Sequence, residues 1–191
     1  MELEKRKLNF DGIIFTGHMA AGKTYFLNYF ANEFEKYGIK LNKVSIASNI
    51  KEIATKYFGM KEKDRRLLQL IGAKMREIDK DVWIKALLLK IENEKLIPFG
   101  IDDVRFLNEL NLINQKYKVF VIRIKQDNEE RRLKKYAEIY GRKPTYEEMN
   151  DPTEKEIDSL PMDYLAINKY EKENPKEVFY KVLDLITTTI S

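Results

Sequence analysis

Gly17-His18-Met19-Ala20-Ala21-Gly22-Lys23-Thr24 fits the pattern G-x-x-x-x-G-K-[ST] at every fixed position. Glycines in such a run let the backbone curl so that several N–H groups face one anion. The helix that follows adds the positive end of its dipole. Lys23 is spaced to reach the β- and γ-phosphates of a nucleoside triphosphate, and the Thr24 hydroxyl to ligate Mg²⁺. Gly17, Ala20, Ala21, Gly22, Lys23 and Thr24 are therefore the nucleotide-binding candidates. His18 and Met19 occupy variable positions, and His18 reads as a loop side chain without chemistry of its own. The motif points to a donor nucleotide and leaves the reaction open.

Two further constellations carry chemistry. Ile101-Asp102-Asp103-Val104-Arg105 places two acids and an arginine at the end of an apolar run. A carboxylate there can hold Mg²⁺ directly or through water, so Asp102 and Asp103 are both metal candidates alongside Thr24. One of the pair can instead accept a hydrogen bond from an acceptor, and Arg105 can bind an acceptor phosphate. The competing use of Asp103 is as a helix cap. The second constellation is the segment 63–76. At 100° per residue Leu67, Ile71, Met75 and Ile78 share one helix face. Arg65, Gln69, Gly72 and Arg76 share the opposite one, within about 60° of each other. Glycine costs about 1 kcal/mol in a helix interior relative to alanine. Between two arginines and an amide, it suggests a flat or anionic ligand against the helix, because arginine forks match phosphate and an amide matches a base edge. A solvated polar face with an incidental glycine is the alternative.

These residues need a scaffold, and the remaining pattern supplies one. Strands are expected at Asp11–Thr16, Lys43–Ala47, Leu96–Ile101, Lys118–Lys125 and Tyr164–Asn168. Helices are expected at Lys23–Tyr37 (with Phe26, Phe30 and Phe34 on one face), Asn49–Phe58 capped by Ser48 or Asn49, Asp64–Ile78, Asp81–Asn93, Arg105–Gln115, Asp127–Tyr140 and Pro175–Thr188. The stretch Gly141–Leu160 is polar and proline-containing, and reads as a loop region with room for a short helix. Alternating strands and helices predict a three-layer α/β fold, a parallel sheet with helices on both faces, whose ligands bind at the strands' carboxyl ends.

Composition bounds the reading. The 191 residues suit one domain, and 43% apolar with 35% charged residues is a globular composition. Cysteine is absent and His18 is the one histidine, which argues against disulfides, thiolate sites, a histidine-clustered zinc site and a Ser-His-Asp triad. A net charge of +4 is a weak excess for nucleic-acid binding. No apolar stretch reaches the ~18–20 residues of a membrane span, and the charged start of the chain does not read as a signal peptide. A cytoplasmic location is expected (host cytoplasm if a virus encodes it).

Leu-Leu-Gln-x-x-Gly at 67–72 followed by Arg76 and Trp83, then Asp-Val-Arg-Phe-x-Asn-Glu at 103–109, resembles the phage-type deoxynucleoside monophosphate kinases. Ala47-Ser48-Asn49-Ile50-Lys51-Glu52 resembles that family's Ala-x-x-x-Lys-Glu element. The likeness runs from about residue 11 to about residue 168. It departs at Ala73-Lys74, where many relatives carry Thr and an acidic residue, and at Leu107, which replaces a frequent proline. The resemblance implies a P-loop kinase fold and transfer from ATP, with Mg²⁺, to a deoxynucleoside monophosphate. It makes Lys51, Gln69, Arg76, Trp83, Asp103 and Arg105 acceptor-site candidates, within acceptor-binding helices spanning about 49–93. A helical lid would span about 127–160 and bring Arg131, Arg132 and Arg142 onto the transferring phosphate, whose charge spreads over its equatorial oxygens, with Asp151-Pro152-Thr153-Glu154 as its hinge or cap. Asn168, at the end of the last strand, is a candidate neighbour of the adenine. The expected partner is the nucleoside monophosphate substrate, with a homodimer left open and neither nucleic acid nor membrane.

The Asp-Val-Arg segment is also similar to that of animal-type phosphomevalonate kinases, so a small-molecule kinase is one rival. A partner-stimulated P-loop ATPase with no small acceptor is another.

Overall fold

In the computed structural model, which describes residues 6–171 and 173–189 (without the side chains of Arg6, Lys7, Arg65, Pro152, Thr153, Thr188 and Thr189), the run GIIFT forms a strand buried along its whole length. The first strand is β1 (Arg6–Leu8), and this one is β2 (Gly12–Thr16). Successive side chains of a strand point to opposite faces, so β2 serves two cores at once. Ile13 and Phe15 face the helices α1 (Lys23–Glu35) and α9 (Asn174–Ile186). There Phe26, Phe30 and Phe34 meet Phe179, with edge-to-face ring pairs 5.1 Å apart for Phe15–Phe30, Phe30–Phe179 and Phe34–Phe179. Ile14 faces the other layer.

That layer holds α2 (Ala47–Phe58), α3 (Arg65–Ile78), α4 (Val82–Asn93) and α5 (Leu107–Lys116), packed around Ile46, Trp83, Leu87 and Leu110. The remaining strands of the sheet are β3 (Asn42–Val44), β4 (Phe99–Ile101), β5 (Val119–Gln126) and β6 (Tyr164–Asn168). Their order is β3-β4-β2-β5-β6 and every pairing is parallel, so the expected three-layer α/β architecture is present. The chain leaves β2 toward β3 on one side and later returns to β5 on the other. The carboxyl end of β2 therefore opens at the switch point where ligands of such sheets bind. Between β5 and β6 lie α6 (Glu129–Tyr140), α7 (Tyr146–Met149) and α8 (Pro152–Ile157). A small antiparallel pair, β1 with β7 (Thr187–Thr189), stands apart from the main sheet.

Several local expectations are corrected. Neither Ser48 nor Asn49 caps α2, which begins at Ala47; the amides of Ile46 and Ala47 donate to the Asp103 carboxylate instead. The strand expected at Leu96–Ile101 is confined to Phe99–Ile101. The closing helix stops at Ile186, and the β-branched threonines after it join β1. Ile78 is 82% exposed because it is the last residue of α3, where the chain turns extended at Asp79. The region Gly141–Leu160 holds two short helices rather than one. Among the described residues no helix is long and apolar enough to cross a membrane.

Candidate active site

The phosphate-loop motif lies between β2 and α1, and its conformation follows from its glycines. Gly17 and Gly22 have φ of +143° and +96°. A Cβ at Gly17 would stand 2.3 Å from the Ile124 carbonyl oxygen, and one at Gly22 would stand 2.5 Å from Asn168 Nδ2. Ala20 also takes a positive φ, 59°. Side chains from β5, α6, β6 and the turn after β6 tie the loop's carbonyls. Arg132 Nη1 donates to Met19 O (3.1 Å), Gln126 Nε2 and the Tyr170 hydroxyl to Ala20 O (each 3.2 Å), and Asn168 Nδ2 to Ala21 O (2.9 Å). A trans peptide points its N–H away from its carbonyl, so these ties turn the loop's amides the other way. No side chain caps α1, whose first amides lack intrahelical acceptors.

Lys23 folds back over this hollow, donating to Gly17 O at 2.6 Å and His18 O at 2.9 Å. Burial first, and then the nearby Arg105 guanidinium, hold its ammonium down to about 8. The Thr24 hydroxyl donates to Asp102 Oδ2, so a loop hydroxyl and a strand-end carboxylate already meet. Two hard oxygens at that point suit Mg²⁺, which takes one or two protein ligands and completes its shell with phosphate and water. Among the described residues no His/Cys/Asp/Glu cluster would hold a metal ion by itself.

Adjacent residues at the end of β4 are used differently. Asp103 accepts from Ser45 Oγ (2.7 Å), Ile46 N (3.0 Å) and Ala47 N (2.9 Å), so its carboxylate caps α2 across the sheet. Arg105 follows a buried Val104. Its amide and that of Phe106 donate to Glu109 Oε2 at 2.9 and 3.1 Å, and burial raises the pKa of Glu109 against the pull of those two amides. The Arg105 guanidinium is 39% exposed and lies 3.4 Å from Glu154 Oε1. Arg76 sits over the Phe106 ring at 5.7 Å, which brings Arg76 and Arg105 together beside the β4 end.

The basic residues beyond β5 diverge. Arg132 is buried, pairs with Glu129 and reaches the loop at Met19. Arg131 donates to Asp127 and Lys169 O, and Arg142 forms a bidentate pair with Glu148 at the N-cap of α7. Of the three, Arg132 is the one in contact with the phosphate loop. Asn168 touches the loop too, but as a buried support of Ala21.

Of the residues expected at an acceptor, Lys51 and Gln69 are exposed on α2 and α3. Arg65 opens α3, and its side chain lies outside the described residues. Gly72 is buried and its carbonyl accepts from Trp83 Nε1 at 3.1 Å. Trp83 is 2% exposed and belongs to the core. It borders a groove shared with Glu52, Lys56, Tyr57 and Met75, away from the loop.

The sequence reading places Glu154 only in a hinge or cap of the lid, and it missed both the contact of Glu154 with the loop and the use of His18. His18 Nδ1 meets Glu154 Oε2 at 3.0 Å, and its Nε2 meets both Asp158 oxygens at 3.2 Å. The hydrogen bond with Glu154, opposed by burial and aided by Asp158, raises the His18 pKa. Nothing local links Glu154 to its partners in the loop, which lie more than 130 positions away. Glu109 was visible only as the last letter of the 103–109 segment. Gln126 and Tyr170 carry a weak signal as polar groups at and just beyond the ends of apolar strands.

No family model and no curated protein matches this chain. Solved structures do. A shikimate kinase from Bacteroides thetaiotaomicron superposes with a TM-score of 0.54 at 13% identity, covering 92% of this chain and 98% of that one. A gluconokinase from Sinorhizobium meliloti 1021 gives 0.56 at 10% identity, with 94% and 95% covered. A sugar kinase from Janibacter sp. HTCC2649 gives 0.57 at 14% identity, with 91% and 92% covered. At such identities the likeness is one of fold, and this chain has the P-loop kinase fold.

Proposed function

We propose that this chain transfers the γ-phosphate of ATP to a small phosphorylated acceptor, and that the acceptor is a (deoxy)nucleoside monophosphate, giving the diphosphate. The observation that carries the reading is the convergence of Lys23, the Thr24–Asp102 pair and Arg105 at the carboxyl ends of β2 and β4. The loop amides and Lys23 bind the donor's phosphates, and Thr24 with Asp102 holds Mg²⁺. Bound there, Mg²⁺ neutralises charge on the β- and γ-phosphates. Arg105 and Arg76 hold the acceptor phosphate close to the donor, and positioning of this kind supplies most of catalysis in phosphoryl transfer. Arg132 keeps Met19 in place from α6. An acceptor phosphate is already anionic, so the site needs no strong general base. The motifs at 67–76 and 103–109 support a nucleotide acceptor. Trp83 favours a second reading, a small-molecule kinase with a non-aromatic acceptor, because its ring is enclosed and offers no face for a base to stack on.

Steady-state kinetics on two variants tests the assignment. Arg105→Ala should raise the acceptor KM or lower kcat while leaving ATP binding nearly intact, and Lys23→Ala should lose ATP affinity. Equal loss of ATP affinity in Arg105→Ala would contradict its place on the acceptor side.

A further inference from the structure

Glu154 is a carboxylate inside a site built for anions. It is 3% exposed and comes from α8. Its Oε2 accepts from His18 Nδ1 and from the Met19 amide, each at 3.0 Å, and its Oε1 faces Arg105 Nη1 at 3.4 Å. Burying an ionised carboxylate costs several kcal/mol unless donors and opposite charge surround it. Here it also repels any polyphosphate on the loop. Among the described residues, each hydrogen-bond or ion-pair partner of its side chain is itself part of the site: two residues of the loop and the arginine at the end of β4.

Its location is fixed from behind. Arg123 of β5 donates to Asp158 O at 3.1 Å and to Leu160 O, tying the end of α8 to the strand beside β2. His18 lies between Glu154 and Asp158, which stand four residues apart. The Arg105 backbone is set by Glu109 and its guanidinium by Glu154. Burial pushes the Glu154 pKa up, but the hydrogen bonds from His18 and the Met19 amide outweigh it and leave the group more acidic than usual, so it is ionised at neutral pH.

We propose that Glu154 is a positioning residue for phosphotransfer: it aims Arg105 toward the acceptor phosphate and seats α8 on the loop through His18 and the Met19 amide. The role rests on the kinase reading above. Its carboxylate matters through these partners and does not contact the reacting atoms.

Glu154→Gln keeps the shape and removes the charge. The expected result is a fall of about tenfold in kcat/KM for the acceptor, with ATP-Mg²⁺ affinity within about threefold. In an Arg105→Ala background the same substitution should change kcat/KM by less than about twofold, because the partner it acts through is gone. Equal falls in both backgrounds would overturn the positioning role and leave Glu154 a stability residue. Hydrogen exchange on the ATP-free protein provides a readout that needs no acceptor. Glu154→Gln should speed exchange at Met19 and across Lys155–Ser159, and unchanged rates would overturn the seating of α8. If the wild type phosphorylates no acceptor, the kinase reading fails and takes the positioning role with it, while the exchange result still decides whether Glu154 holds α8 to the loop.

Discussion

The side-chain amide of Asn168 donates to the carbonyl of Ala21 at 2.9 Å, joining the end of β6 to the turn that opens α1. The same amide nitrogen occupies the space that a Cβ on Gly22 would need. Loop and strand end are therefore fitted to each other. Asn168→Ala leaves a buried carbonyl without its donor, at a cost of about 1–3 kcal/mol in stability, and loosens the loop. Urea denaturation and ATP titration should both report a loss. Unchanged ATP affinity would show that the loop keeps its shape without this support.

Glu109 makes a parallel prediction through Arg105. Its carboxylate accepts from the Arg105 and Phe106 amides inside the protein. Glu109→Ala strands both donors and should cost about 1–3 kcal/mol, whereas Glu109→Gln retains an acceptor and should cost less. The acceptor KM should rise with Glu109→Ala more than the ATP KM does, because the displaced residue is Arg105.

Gly72 separates stability from function. A Cβ there would meet Arg76 Nη1 at 3.4 Å and Ile50 Cδ1 at 3.5 Å, which is ordinary contact. Gly72→Ala should therefore stabilise the protein by roughly 0.5–1 kcal/mol, the usual gain of alanine over glycine inside a helix. If an acceptor lies against this face of α3, kcat/KM for it falls in the same variant. A thermal melt and a kinetic assay on one sample read both effects. Higher stability with full activity would remove Gly72 from the acceptor site.

His18 gives stability a pH dependence of known sign. Its pKa is raised in the folded protein, by the hydrogen bond with Glu154 first and by Asp158 as well, so the folded state binds the proton more tightly than the unfolded chain does. The stabilisation it provides, measured against His18→Gln, is complete below the unfolded value of about 6.5 and declines as pH rises through the higher folded value. A difference between the two proteins that grows with rising pH would contradict the clamp between Glu154 and Asp158.

The layered fold was legible because its signals are local. The apolar run of β2, the Phe26-Phe30-Phe34 face of α1 and the glycine pattern of the loop each follow from neighbouring residues. Asp102 and Asp103 show where that legibility ends. Both stand at the end of β4, and only the sheet's register decides that one meets Thr24 while the other caps α2. Gly72 and Trp83 show the same limit, because a residue pattern that suits ligand binding also suits the packing of α3 on α4. Glu154 was legible only as part of a hinge or cap of the lid, and its contacts were not, since its partners lie near residues 18 and 105 and no periodicity links them.

The proposed reaction is phosphoryl transfer to a phosphorylated small acceptor. Its most direct test is incubation with ATP-Mg²⁺ and a panel of the common ribo- and deoxyribonucleoside monophosphates, with diphosphate product read directly. Diphosphate is expected from at least one deoxynucleotide, and Lys23→Ala should abolish it. Absence of product from every member, with ATP still bound, would contradict the nucleotide acceptor and shift the assignment to another small acceptor or to a partner-driven ATPase.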